Sequence, residues 1–415
     1  MAYIPPHKRH TKDTEKSTSS PSLLIPQLEE SLNLGTRYAG SSGRSRRNLK
    51  RDIPNVSIKY SKNSISRWWD VGMSDDMQSS ESPSVSLKPY PCELIERRTG
   101  EKPLAIVAKE ESEPSRTLEP WLHIAERIQP DLDFAFQIVK SQMDFGMSKE
   151  LKLSLTARFG KILFYGPSSW NNSISLDTIR KSLEGEGEAR YTNRVHKTFY
   201  TNVPEEYVKS IECQAVPKLG LQYDTNKEKY YLKINDKMQF DVNLTCKCIK
   251  RINGIGLELQ KIETNLVRHL VVDISCLSKN VDLRLILVSK KILTELTEEE
   301  KSGIYRLVNS AVIDPNVKGK LRWPLKKEGT GDRFSIQGVW HTESKYFQGS
   351  TMKLKLRHAD RYDFHNSSGE VSWEVSLKMQ EITRLLMDQM LNGNKVAMEE
   401  LQKTLKSMWE EFLSC

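Results

Sequence analysis

A chain of 415 residues with 63 Lys and Arg against 54 Asp and Glu, a formal net charge of +9, has room for one large domain or two average ones. A hydrophobic content of 37% and a mean hydropathy of −0.56 are low for a chain packed along its whole length, so part of it is expected to stay outside any core. The longest apolar runs, among them Leu270–Ile274 and Leu283–Val288, have the length of strands and fall short of the ~18–20 residues that cross a bilayer, so no membrane is expected as a partner. Met1 to His10 contain no apolar stretch, and no secretory signal is expected. The six cysteines (Cys92, Cys213, Cys246, Cys248, Cys276 and Cys415) follow no framework spacing, which suits reduced thiols of the nucleus or cytoplasm.

The charge is unevenly placed. Residues 1–67 hold 13 Lys and Arg against 5 acids, a net of +8, and leave +1 for the rest. Residues 1–62 are rich in Ser, Pro, Asn, Lys and Arg, a composition that cannot bury enough surface to offset the entropy of ordering the chain. They are expected to form a disordered basic arm. Residues 63–102 are expected to be a partly ordered linker in which Trp68 and Trp69 dock on the domain. Residues 103–415 are expected to form a single large α+β domain.

Within that domain Leu104–Val107 is a strand candidate. Trp121, Ile124, Ala125 and Ile128 have the spacing of an amphipathic helix, and Phe134, Ile138, Val139 and Met143 repeat it. Leu151, Leu153 and Leu155 alternate as in a strand, continued by Lys161–Tyr165 until Gly166-Pro167. Helices are predicted over Leu176–Leu183 and Pro204–Ile211. Leu219–Tyr223 and Tyr230–Ile234 read as strands about a polar turn at Asp224–Lys227, and Phe240–Ile249 and Ile255–Ile262 as a hairpin about Asn253-Gly254. Strands Arg268–Cys276 and Asp282–Val288 follow, then a helix from about Thr297 to Val312 opened by Thr297-Glu298-Glu299-Glu300. Gly329–Asp332 reads as a loop, lacking the Lys-Ser/Thr of a phosphate-binding loop and the third glycine of a dinucleotide turn. Met352–Arg357 and Glu370–Leu377 form a predicted hairpin about a long polar loop. Two helices parted by Asn392-Gly393-Asn394 end the chain, the second with an apolar stripe of Met398, Leu401, Leu405, Met408 and Phe412. A meander of antiparallel strands with helices before, between and after it gives the α+β class with a largely antiparallel sheet.

Three constellations bear on function. Lys8, Arg9, Arg44, Arg46, Arg47, Lys50 and Arg51 are cations of the arm, and such groups on a flexible chain neutralise phosphates and release counterions, a sequence-independent affinity for RNA. The same composition serves nuclear import, an anionic-lipid contact or a solvated tail. Next, Lys353, Lys355 and Arg357 share one face of their strand, and Glu370, Ser372 and Glu374 one face of its partner. On an open sheet this is a solvated face of cross-strand ion pairs, the expected arrangement. On a closed sheet the same residues line a polar lumen, as in tunnel folds that bind triphosphates with Lys, Arg and metal-bound carboxylates. The alternating glutamates ending in lysine typical of such enzymes are missing, because Glu258-Leu259-Gln260-Lys261 has glutamine at the second position. Finally, Cys246-Lys247-Cys248, with His269 and Cys276 in nearby strands, lacks the spacing of a zinc knuckle, so buried structural thiols are expected, with no metal and no cofactor. No nucleophile elbow or helical His-Glu-x-x-His occurs, and no catalytic residue is assigned.

Two stretches carry resemblances. Tyr3-Ile4-Pro5-Pro6-His7-Lys8-Arg9 is similar to an element in the N-termini of some DEAD-box RNA helicases, with Lys8 in the place of its leucine. Over nearly its whole length the chain resembles a plant family of unknown function whose members open with the same ten residues, Met1 to His10. The resemblance is carried further by Ala157–Gly166, Val267–Cys276 and Asp314–Leu325. It implies a plant source and one family architecture and supplies no activity. The functional expectation is a non-enzymatic RNA-associated adaptor of nucleus or cytoplasm, its arm on phosphates and its domain on a protein partner. The alternatives are a phosphohydrolase-like enzyme with a charged β-lumen and a pure interaction module using the stripe from Met398 to Phe412.

Overall fold

The computed structural model describes residues 59–71, 85–108, 119–143, 151–166, 179, 195–323 apart from 253, 255, 265 and 278, 333–388 and 393–415. All lie in the unit Asn48–Cys415. In chain order the first elements are β1 (Lys59–Val71), β2 (Val85–Pro89), α1 (Glu93–Thr99), β3 (Leu104–Ala108), α2 (Pro120–Gln142), β4 (Leu151–Tyr165), β5 (His196–Tyr200) and α3 (Glu205–Ser210). The centre holds β6 (Gln222–Asp236), β7 (Gln239–Lys250), β8 (Leu257–Thr264), β9 (Val267–Cys276), β10 (Asp282–Leu293) and α4 (Glu298–Ser310). There follow β11 (Val312–Ile313), β12 (Leu321–Arg322), β13 (Phe334–Gln348), β14 (Met352–Asp363), β15 (Ser368–Met379), α5 (Gln380–Asp388) and α6 (Gly393–Ser407), the last running into a π-helical turn at Met408–Phe412.

Eight of these strands close on themselves. Hydrogen-bonded neighbours run β10-β8-β7-β6-β13-β14-β15-β4, and β4 pairs back onto β10, every pairing antiparallel. The ring is narrowest at two seams: Ile292 and Leu293 of β10 against Glu263 and Ile262 of β8, and Ser376–Lys378 of β15 against Thr156–Arg158 of β4. The open sheet expected from sequence is therefore a barrel. Beside it β9 pairs β10, and β1 pairs β9 in parallel, so the Trp68 segment docks as a strand that also takes in Lys59–Lys62. Past the barrel seam, β4 continues into a small sheet with β3 and β5.

The barrel carries its apolar residues on the outside. Leu155, Ala157 and Phe159 of β4, Leu283, Leu285 and Leu287 of β10, Leu354 and Leu356 of β14, and Val375 and Leu377 of β15 pack under α2, α3, α5 and α6. Around the ring, Leu232 and Ile234 of β6, Leu244, Cys246 and Cys248 of β7, and Val339 of β13 pack under Ile304, Leu307 and Val308 of α4. Each Val, Leu, Ile or Phe among them, fully buried, contributes about 1.5–3 kcal/mol. α4 starts where the sequence places it: the Thr297 hydroxyl accepts from the Glu300 amide (3.2 Å) and the Glu300 carboxylate from the Thr297 amide (2.9 Å).

Several expectations change. α2 runs unbroken through Pro130 and joins the two predicted helical segments, with Phe134 on its exposed side. β6 crosses the predicted turn at Asp224–Lys227, because β13 pairs with it throughout (Thr225↔Tyr346 to Asp236↔Phe334). β13 itself has no counterpart in the sequence reading. β14 and β15 extend to a short turn at 364–367 rather than a long loop, and β2 and α1 precede Pro103. Of the helix predicted over Leu176–Leu183 only Ile179 is among the described residues. The C-terminal stripe is not free for a partner: Leu401, Leu405, Met408 and Phe412 are buried, and Phe412 stacks on Phe159 (5.0 Å between centroids). The segment Asp314–Trp323 lies on β13 and β14. There the Gly319 amide donates to Asp360 (3.0 Å), and at φ +74° any Cβ would stand 2.6 Å from Val339.

Candidate functional site

Successive side chains of a strand point to opposite faces, so the apolar outer set leaves its alternates inside the ring. On β4 these are Lys152, Ser154, Thr156 and Arg158, in register with Lys290, Val288, Ile286 and Arg284 of β10. β15 presents Glu374, Ser376 and Lys378 opposite Arg357, Lys355 and Lys353 of β14, and β13 adds Ser344 and Tyr346. Lys227, Lys229 and Tyr231 of β6, Lys247 of β7, and Lys261 and Glu263 of β8 complete the wall. Charge is felt across the ring: Lys355 on β14 is repelled by Lys247 and Lys229, and Lys378 on β15 by Lys290 and Lys152. A near-neutral domain thus gathers part of its positive charge in one lumen.

Two carboxylates stand among them. Arg357 and Arg361 both donate to Glu374, and the Ser372 hydroxyl adds a bond at 3.4 Å. Burial opposes the ionisation of Glu374, but the charges of Arg357, Arg361 and Arg158 overcome it and hold the carboxyl well below the usual range. Glu263 is held by Lys247 (2.9 Å), Lys261 (2.7 Å) and Lys290 (3.0 Å). Against the same cost of burial, these lysines lower its carboxyl to about 2.

Other cations have no such partner. Arg158 and Lys355 line a cavity of about 110 Å³ together with Thr156, Thr201, Arg357, Glu374, Val375 and Ser376. Neither makes a salt bridge or hydrogen bond among the described residues. The Lys355 ammonium lies 5.5 Å from the ring of Tyr346, which Lys353 (5.4 Å) and Lys227 (5.5 Å) also face. Burial, reinforced by the neighbouring Arg357, lowers Lys355 well below the ordinary lysine value; burial lowers Arg158 to about 10. Lys247 falls to about 8, by burial first and the charge of Lys290 second.

The two ends differ. Beyond Arg158 the inward side of β4 continues as Gly160, Ile162 and Phe164. The last two pack with Trp68 of β1 and Phe199 of β5, so the polar wall ends there in an apolar cluster. At this boundary Asp273 of β9 binds Arg284 (2.9 Å) and Lys197, and Arg284 lies over the Phe199 ring (4.6 Å). The opposite mouth is ringed by Lys152, Lys290, Lys353 and Lys378.

Of the residues singled out in the sequence, Lys353, Lys355, Arg357, Glu370 and Glu374 all fall on the inward side, which the expected open sheet would have left in solvent. Lys355, Arg357 and Glu374 meet in the cavity. Lys353 lies at the mouth with Asp224 (2.6 Å), and Glu370 lies towards the β14–β15 turn, accepting from the Tyr200 hydroxyl (2.8 Å). Arg158, Lys229, Lys247 and Glu263 join them in the lumen without being singled out by the sequence reading. The alternation Lys152, Ser154, Thr156, Arg158 between leucines is the signal that could have found the first. Lys8, Arg9, Arg44, Arg46, Arg47, Lys50 and Arg51 lie outside the described residues. Cys246 and Cys248 sit in the apolar layer under α4, where burial raises both thiols. No three His, Cys, Asp or Glu side chains converge as a metal site among the described residues, and no helix there is long and apolar enough to cross a membrane.

Fold and site together define a closed antiparallel β-barrel with an apolar outside and a cationic lumen. The chain belongs to the family described as Domain of unknown function (DUF7903), whose model matches residues 53–412. No curated protein matches it. Among solved structures it is similar to the S. pombe Pct1 RNA triphosphatase at 7% identity and a TM-score of 0.40, covering 68% of this chain and 93% of that one. The same enzyme in complex with the Spt5 CTD matches at 7% identity and 0.41, covering 68% and 94%. The PH1012 protein from Pyrococcus horikoshii OT3 matches at 12% identity and 0.22, covering 49% and 86%.

Proposed function

We propose that the lumen binds an oligophosphate group, the last phosphate seated between Arg158 and Lys355 and the preceding ones among the lysines towards the mouth. The observation that carries this reading is the pair of half-buried cations, neither with a salt bridge or hydrogen bond among the described residues, on a cavity of about 110 Å³. Buried charge without a partner costs stability, and a fold that keeps it gains the cost back when a counter-charge binds. The cavity has room for an oxyanion and water. Arginine offers a planar fork and lysine a point charge, both suited to phosphate, and the hydroxyls of Thr156, Thr201 and Ser376 can donate to its oxygens. A single carboxylate would leave most of the lumen's charge unmatched. Titration calorimetry of the full chain with sodium tripolyphosphate, beside the double variant Arg158→Gln/Lys355→Met, tests it. Loss of binding in the variant is expected, and equal affinities contradict the reading.

The arm supports a second phosphate contact of a different kind. Its net charge of +5 over residues 1–58 (10 Lys and Arg against 5 Asp and Glu) favours RNA, bound without sequence preference and weakened steeply by salt. Filter binding against RNA over a salt series, full chain beside a chain lacking residues 1–58, would contradict this if the two affinities coincide.

A further inference from the structure

Resting on the oligophosphate reading, we infer that the lumen takes its anion free of divalent cation, its own arginines and lysines standing where Mg²⁺ stands on an oligophosphate in solution. Mg²⁺ at a phosphate site keeps several waters and is anchored by one or two carboxylates in near-octahedral geometry. In the two carboxylates of the wall of this lumen every oxygen already has a cationic partner. At Glu374, Arg361 and Ser372 take Oε1 and Arg357 takes Oε2. At Glu263, Lys261 and Lys290 take Oε1 and Lys247 takes Oε2. At the apolar end Asp273 is likewise held by Arg284 and Lys197. For Glu374 to ligate a metal, the dication would have to stand beside Arg357 and Arg361 at close range in a site of low dielectric. Glu370 is no substitute: burial raises its carboxyl and so disfavours the charged form a metal needs, and it accepts from Tyr200 instead.

The donor set therefore does not suit a divalent metal, and the cations already present do what the metal would do: they neutralise and orient the phosphate oxygens. The ligand class follows. It is an oligophosphate stripped of Mg²⁺, and a chelated nucleotide enters only after giving its metal up. Mg²⁺ in solution thus acts as a competitor for the ligand rather than as a cofactor of the protein.

Calorimetric titration of the full chain with sodium tripolyphosphate, first in EDTA and then over a Mg²⁺ series at constant ionic strength, reads this directly. Binding is expected in EDTA, with the apparent affinity falling at every Mg²⁺ increment. Binding that appears only with Mg²⁺, or tightens with it, overturns the inference while leaving the lumen site standing. Binding in neither buffer overturns the lumen site itself. Binding that survives in Arg158→Gln/Lys355→Met comes from elsewhere on the chain and also counts against the site. The variant Glu374→Gln supplies an independent arm, checked for an intact fold by circular dichroism. Releasing Arg357 and Arg361 for the anion should raise the affinity in EDTA about tenfold, whereas a metal-ligand role for Glu374 would lower it.

Discussion

Along β4, Leu155, Ala157 and Phe159 are buried under the helices outside the barrel, whereas Thr156 and Arg158 on the inside face a cavity, Arg158 with Arg357, Arg268 and Arg284 as well as Glu374 about it. The same fifteen residues thus carry both halves of the protein's design. The outer half supplies stability through burial and matches what the helices need. The inner half spends some of it, holding cations in a low-dielectric space with fewer carboxylates than they need. Stability and binding should therefore separate by face: substitutions outside weaken the fold and spare the ligand site, and substitutions inside do the reverse.

The largest effect is expected outside. Phe412→Ala removes a ring stacked on Phe159 and should cost about 3–5 kcal/mol in urea unfolding, with tripolyphosphate affinity of the folded fraction unchanged. A change in affinity would mean that the two faces are not independent. Inside, Lys355→Met should lower tripolyphosphate affinity about a hundredfold, or about 2.7 kcal/mol, and yet raise the thermal midpoint of the empty protein. The reason is that it removes a desolvated charge that burial and Arg357 already disfavour. A lower midpoint would show that Lys355 is a structural partner and not a ligand group.

The smallest effect is one of pH. Lys247 titrates at about 8 in the folded chain against an ordinary 10.5, so between these values the folded chain has lost a proton that the unfolded chain keeps. Its burial cost is full below pH 8 and relieved as pH rises towards 10.5, so this group makes the fold more stable across that window. Anion binding needs the charged form, so affinity should fall through the same window by at most about tenfold per pH unit for one proton. Parallel calorimetry and thermal melts at pH 7 and 9 check the opposite signs; a joint rise or joint fall would contradict them.

How far the sequence reveals this depends on the face. The outer layer is legible because alternation of apolar residues marks strands wherever helices cover them: β4, β9, β10, β14 and β15 and the capping box of α4 all announce themselves. β13 and the first half of β6 do not. Their inward residues, such as Lys227, Lys229, Thr342 and Ser344, are polar, and Asn226 and Glu228 on the outward side of β6 there are polar too, so the period of two is lost and Asp224–Lys227 looks like a turn. Closure is beyond local pattern altogether. It rests on two short seams, Ile292–Leu293 against β8, which skips over β9, and Ser376–Lys378 against β4, which joins segments more than two hundred residues apart. Without closure, Lys353, Lys355, Arg357 and Glu374 read as a solvated face; with it, they meet Arg158 and Lys247 from strands more than a hundred residues away. The uneven charge of the arm, by contrast, is plain from composition, whereas the small net charge of the domain hides the cations gathered on its inside.

The most direct test of the central claim is to locate an oxyanion. Crystals of the protein soaked with tungstate, a tetrahedral stand-in for phosphate that scatters anomalously, should show a peak within hydrogen-bonding distance of both the Arg158 guanidinium and the Lys355 ammonium. Tungstate found on the outer surface alone, with the lumen empty, would contradict the account.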